Sequence, residues 1–151
     1  MFDFTMESVK GILNKKDSLQ SKLKAIAHLL SNEIPHYNWV GFYFMNDETQ
    51  ILELGPFVGS PTDHTKIPYG KGICGQVAVS GEIFIVQDVH AQDNYISCSI
   101  DVQSEVVVPI YSNDTLVAQL DIDSNSKSPF STKDTVFLEN ICNEIGKKWE
   151  H

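Results

Sequence analysis

Three cysteines stand far apart in the 151-residue chain, Cys74, Cys98 and Cys142, and they are its most reactive side chains. Cys142 falls between Ile141 and Ile145, the setting of a small packed hydrophobe, and no chemistry is assigned to it. Cys74 lies between Ile73 and Gly75 in "YGKGICGQVAVSG", where packing and redox function fit equally well. Cys98 is different. The stretch "NYISCSIDVQSE" surrounds it with small polar residues and brings a carboxylate, Glu105, seven positions later. A thiol in that context is free to act as a nucleophile or a redox group instead of filling a core.

Carboxylates form the second set. In "QLDIDS" the acids Asp121 and Asp123 alternate with Leu120 and Ile122, so on a strand both acids point to one face. Taken alone, that pattern reads as the solvated outer face of a one-sided sheet. Glu105 opens the neighbouring strand, however, so three carboxylates converge near one end of the sheet if the long segment before Glu105 folds over it. That segment, residues 87–104, has little strand or helix periodicity and holds His90, Tyr95 and Cys98. Long irregular connections inside compact domains are usually functional or disordered, and these three residue types point to function.

Two other chemistries fit poorly. Gly70, Gly72 and Gly75 lack the spacing and the Lys-Ser/Thr ending of a phosphate loop, and read instead as tight backbone turns beside a pocket. His64, Cys74, His90 and Cys98 are imaginable metal ligands, but no pair has the close spacing of a structural zinc site. No metal and no cofactor are expected.

The elements that must position these groups can be read from periodicity. Leu19, Leu23, Ile26, Leu30 and Ile34 recur at steps of three and four after Asp17, which predicts a helix that Pro35 stops. A shorter helix, roughly Phe4 to Leu13, precedes it. "NWVGFYFMN" and "QILELGPF" read as a hairpin whose second strand ends at Gly55-Pro56; "SEVVVPIY" and "TLVAQLDID" read as another. "EIFIV" is a short fifth strand and "TKIP" a sixth. Ser131 with Asp134 three residues on gives a capping-box-like start to a last helix, where Leu138, Ile141, Ile145 and Trp149 track one face. Helix, hairpin, irregular middle, hairpin, helix predicts an α+β domain with an antiparallel sheet and terminal helices packed against it.

Composition narrows the partners. With 11 Lys+Arg against 20 Asp+Glu the formal charge is −9, so nucleic acid and anionic membrane are poor partners and a zwitterionic or cationic small molecule fits better. The length suits a single domain, residues 1–151, that buries its own core. A start without a basic-then-apolar pattern, and no apolar run of bilayer length, predict a cytoplasmic protein. An odd cysteine count argues against a secreted disulfide framework.

Six blocks in order, "NWVGFYF", "LGPFVG", "IPYGKGICGQVA", "QDVHAQDNYISC", "SEVVVPIY" and "LDIDS", resemble those of the free methionine-(R)-sulfoxide reductases, enzymes built on a GAF domain. The similarity runs from about Asn38 to Phe130. It implies a GAF-like fold, with a sheet of about six strands, terminal helices on one side, and loops and short helices forming a pocket on the other. It also implies thiol-dependent reduction of free methionine sulfoxide by a homodimer. Cys98 matches the family's catalytic cysteine, and Glu105, Asp121 and Asp123 match its acidic substrate-binding residues. Trp39 and Tyr43 match the aromatic wall that receives the methyl-sulfoxide end, and Cys74 an auxiliary redox cysteine. His64 stands where the family usually has its resolving cysteine. That departure leaves recycling to Cys74 or to an external thiol, thioredoxin or a smaller one. The other reading of the same fold is a GAF module that binds an amino-acid-like ligand without turnover.

The implied chemistry explains the residue types. A sulfoxide sulfur becomes electrophilic when its oxygen receives a proton, so thiolate and acid are needed together. Carboxylates crowded in one pocket repel one another, which leaves one of them protonated. The ionised ones can hold the ammonium that only a free amino acid carries. His90, if close and protonated, would offset their effect on the Cys98 thiolate, and Tyr95 belongs to the same expected pocket.

Overall fold

A computed structural model describes residues 2–92 and 101–150. The elements run α1 (Phe2–Leu13), α2 (Leu19–Glu33), β1 (Trp39–Asn46), β2 (Ile51–Val58), β3 (Lys66–Pro68), α3 (Gly72–Ser80), β4 (Phe84–Val86), β5 (Ser104–Ser112), β6 (Thr115–Ser124) and α4 (Thr132–Lys147). A 3₁₀ turn at Val89–Ala91 follows β4. The strands form one six-stranded sheet in the order β3-β2-β1-β6-β5-β4, with every neighbouring pair antiparallel. This is the expected α+β arrangement. Among the described residues no helix is long and apolar enough to cross a membrane.

Alternation along the central strands divides the molecule into two layers. Val40 and Phe42 of β1, Val106, Val108 and Ile110 of β5, and Leu120 and Ile122 of β6 pack against α1, α2 and α4 in one cluster. Cys142 belongs to that cluster as a buried hydrophobe. The opposite face carries Trp39, Tyr43 and Val107, covered by Ile73, Cys74 and Val77 of α3. Terminal helices therefore close one side of the sheet, and α3 with its adjoining loops closes the other.

Local signals account for the element ends. Ser18 caps α2, its hydroxyl accepting from the Ser21 amide, and Ile34 ends that helix one residue before Pro35. Ser131 and Asp134 form the full reciprocal capping box of α4. Asp134 also accepts from the Tyr37 hydroxyl at 2.6 Å and lies 3.0 Å from His36 Nε2, which ties the start of α4 to the entry of β1.

Two expected boundaries move. β2 does not stop at Gly55-Pro56 but continues to Val58. Its pairing goes from Gly41↔Phe57 to Tyr43↔Leu54, so Gly55 and Pro56 together oppose Phe42 in a bulge. A bulge leaves a backbone position unpaired, which is where a proline without an N–H fits inside a strand. Trp149 lies past the end of α4, since Lys148 is the C-cap; its ring still meets Phe44 edge-on at 5.8 Å.

Candidate active site

Register brings the acids together. Asp123 pairs with Glu105 on one side and Trp39 on the other, and Asp121 pairs with Val107 and Gly41. Glu105, Asp121 and Asp123 thus occupy neighbouring positions on one face of two adjacent strands, β5 and β6, the face covered by α3. All three are buried, at 5%, 1% and 1% exposure. The solvated-face reading of "QLDIDS" is thereby overturned: α3 and the loops flanking it exclude water from the side on which the acids stand.

Cys74 descends onto them from α3. Gly70 (φ +89°) and Gly72 (φ +62°) make the left-handed turns that start this helix. The Gln119 side-chain amide donates to the Cys74 carbonyl at 3.2 Å, pinning α3 to β6. Cys74 Sγ then lies 3.8 Å from Glu105 Oε2, and one ligand atom each from Cys74, Glu105 and Asp121 fall within 4.8 Å of one another. Carboxyl oxygens of Glu105 and Asp121 thus fall within 4.8 Å of each other. Two carboxylates that close and out of water repel each other, which favours a proton on one of them.

Electrostatics follow from that crowding. Burial raises the Asp121 carboxyl above the ordinary carboxylate value, with the hydrogen bonds to Glu105 and Cys74 offsetting part of the effect. Burial first, then the charges of Asp121, Glu105 and Asp123, hold the Cys74 thiol well above its usual range. At neutral pH Cys74 is a protonated, weakly nucleophilic thiol. Among the described residues, Asp121 Oδ1 and Gln119 Oε1 are buried without a hydrogen-bond partner.

The cleft above these groups is narrow, with about 10 Å³ of free volume, and is lined by Tyr43, His64, Ile67, Lys71, Gly72, Ile73, Cys74, Glu105 and Asp121. A second cleft of about 70 Å³ is bounded by Asn38, Trp39, Ser60, Asp101, Val102, Asp123 and Asn125. Their aromatic wall is held by the loop after β2: Trp39 Nε1 donates to the Ser60 carbonyl at 3.0 Å, and the Tyr43 hydroxyl to the His64 carbonyl at 2.8 Å. The Trp39 ring stacks on Phe57 at 5.5 Å.

That ring lies flat because the positions beneath it are glycines. A Cβ on Gly41 would stand 2.5 Å from Trp39 Cη2 and 2.8 Å from Phe57 Cβ, and one on Gly59 would stand 2.5 Å from Trp39 Cδ1. Gly41→Ala is expected to lift the indole and cost about 1–3 kcal/mol by overpacking. Urea unfolding followed by far-ultraviolet circular dichroism measures the loss, and a shifted tryptophan emission reports the displaced ring.

The structure thus brings together Cys74, Glu105, Asp121, Asp123, Trp39 and Tyr43, and it sets His64 and Lys71 on the cavity wall. His90 is an exposed residue of the 3₁₀ turn, its amide donating to Asp88 Oδ1 at 3.1 Å, and it lines neither cavity. Cys98 and Tyr95 lie outside the described residues. Gln119 and Lys71 are the additions that sequence reading did not single out. Gln119 shares the alternation of Asp121 and Asp123, and that was the available signal.

Comparison with known proteins decides the family. The GAF domain profile matches residues 17–148. The free methionine-R-sulfoxide reductase of Saccharomyces cerevisiae is 36% identical over 91% of this chain and 77% of its own length. That of Escherichia coli is 32% identical over 91% of this chain and 81% of its own. The chain belongs to the free methionine-R-sulfoxide reductase family of GAF proteins. The family fold is reproduced in detail: the Neisseria meningitidis reductase, solved in complex with its substrate, superposes with a TM-score of 0.92 at 29% identity, covering 97% of this chain and 87% of that one. The sheet that carries the acids is thus the family's sheet, and the blocks "NWVGFYF", "SEVVVPIY" and "LDIDS" lie on it.

Proposed function

We propose that the protein reduces free methionine-(R)-sulfoxide to methionine, with Cys98 as the attacking thiol and the buried acid cluster as its binding and proton-transfer partner. The observation that carries this reading is the convergence of Glu105, Asp121 and Asp123 behind an aromatic wall, in a member of this reductase family. A zwitterionic ligand suits the cavity: the ionised acids hold its ammonium, and Lys71 at the rim meets its carboxylate. A methionine sulfoxide inside a peptide has neither charged end, which gives selectivity for the free amino acid. Trp39 and Tyr43 take the apolar methyl group.

In the reaction Asp121, the acid held protonated by burial, hydrogen-bonds to the sulfoxide oxygen and draws electron density from sulfur. The Cys98 thiolate attacks that sulfur, and the oxygen passes to Cys98 as a sulfenic acid while methionine leaves. Cys98 is oxidised by two electrons and the substrate sulfur is reduced by two. A second thiol then condenses with the sulfenic acid, releasing water and forming a disulfide. Cys74 or an external thiol performs that step, and a dithiol of the thioredoxin kind returns both sulfurs to thiols. A reducing cytoplasm supplies such donors, and a homodimer is the assembly in which we expect the protein to work.

Dithiol-dependent consumption of the free R epimer, followed by chromatography of released methionine, tests the proposal. The free S epimer and an internal methionine sulfoxide in a short peptide should remain unreduced. Tight binding of the R epimer with no methionine formed would favour a ligand-sensing module instead.

A further inference from the structure

We infer that Cys74, Glu105 and Asp121 form a binding site for a thiophilic divalent metal ion, zinc(II) by preference, with the remaining coordination position open to water or ligand. The three come from α3, β5 and β6, are buried, and present one ligand atom each within 4.8 Å of one another. Tetrahedral zinc with bonds of about 2.3 Å to sulfur and about 2.0 Å to oxygen separates a sulfur from an oxygen ligand by about 3.5 Å. The observed distance from Cys74 Sγ to Glu105 Oε2 is 3.8 Å, so both atoms reach one ion after a few tenths of an ångström of movement.

A second observation points the same way. Asp121 lines the cavity, is 1% exposed, and has Oδ1 buried without a hydrogen-bond partner among the described residues. A buried carboxylate oxygen facing a cavity without a donor is unfavourable and gains from a cation. The ligand set discriminates between cations. Magnesium and calcium prefer all-oxygen shells, whereas a thiolate with two carboxylates suits zinc or cobalt(II). On binding, the ion displaces to solvent the thiol proton and the proton on one of the two carboxyls, and two positive charges then face three negative ligands.

The position has a consequence that rests on the function proposed above. If these acids hold the ammonium of the substrate, zinc occupies the same place, and it inhibits turnover competitively at saturating reductant. The metal site itself is testable without any turnover.

Fully reduced protein titrated anaerobically with cobalt(II) should show one equivalent bound and a thiolate-to-cobalt charge-transfer band in the near ultraviolet. Cys74→Ser should abolish the band. It should also weaken zinc binding, read by competition with a chromogenic chelator, by more than about 100-fold, since even outer-shell partners of a metal are worth about 10–100-fold. Glu105→Gln gives an independent arm, with a weaker zinc affinity and the band retained. Circular dichroism confirms that each variant is folded. A band that survives Cys74→Ser, a band lost on Cys98→Ser but not on Cys74→Ser, or zinc affinity unchanged in both Cys74→Ser and Glu105→Gln would overturn the site. So would the absence of any stoichiometric binding. Each of those outcomes leaves the reductase reading intact, and no turnover by metal-free protein whose site still titrates with cobalt(II) would reject the reductase reading alone.

Discussion

Cys98→Ser is expected to release no methionine in a single-turnover experiment, a loss of at least about 10⁴-fold in rate, because the hydroxyl that replaces the thiol cannot take the sulfoxide oxygen. Cys74→Ser under the same conditions should release about one equivalent per chain, since the proposed step uses one thiol. The contrast follows from the site. Cys74 is 4% exposed, faces two carboxyls, and keeps its proton well above the usual thiol range, so it is a poor attacking group. Rapid quench with chromatographic detection of methionine distinguishes the two variants. Release of methionine by Cys98→Ser but not by Cys74→Ser would exchange their roles.

Asp121→Asn should lower the reduction rate by about 10²–10⁴-fold, the usual contribution of a positioned proton donor. The pH profile carries the specific signature. Burial raises the Asp121 carboxyl, so in the wild type the active protonated form persists above the ordinary carboxylate range and is lost as pH climbs through the raised value. The variant lacks that limb. The substitution changes stability in the opposite sense to activity. In the unfolded chain Asp121 ionises near pH ~3.9, and below that value both states are protonated, so the carboxyl imposes no difference. As pH rises towards the native value the unfolded state loses its proton first, and native stability falls. Asparagine removes that penalty, so Tm should rise at neutral pH, with the gain vanishing below pH ~4. Melting curves of both proteins across pH check the sign, and a variant less stable at neutral pH would refute it.

The opposed effects on rate and stability are what a functional cluster predicts. An acid buried without full solvation destabilises the fold, and retention of three of them on one sheet face is explicable if a ligand or a reaction requires them. The helix side of the sheet shows the other pattern. There buried Asp134 is bonded by buried Tyr37 and by its own cap residue Ser131, and its carboxyl is lowered by the hydrogen bonds of Tyr37, Ser131 and His36 in spite of its burial. Polar burial there stabilises the fold; polar burial beneath α3 is kept for chemistry.

Much of the architecture was legible because its causes are local. Periodicity marked the helices and hairpins, and Ser131 with Asp134 marked the start of α4 through a contact between residues three apart. Proline ordinarily ends a strand, so the sequence predicts too short a β2; the bulge that accommodates Pro56 depends on β1, more than ten residues earlier. The sequence neighbours of His90 suggest the pocket, and the 3₁₀ turn leaves the residue exposed.

By itself, then, the amino-acid sequence determined which residues share a face, where the helices start, and to which family the ordered blocks are similar, because strand alternation, capping and motif order act over a few residues at a time. Only the tertiary structure decided that the Asp121 and Asp123 face is dry and that Cys74 sits against Glu105. Those facts depend on how α3 packs across β5 and β6. No pattern within one strand contains what will lie on top of it.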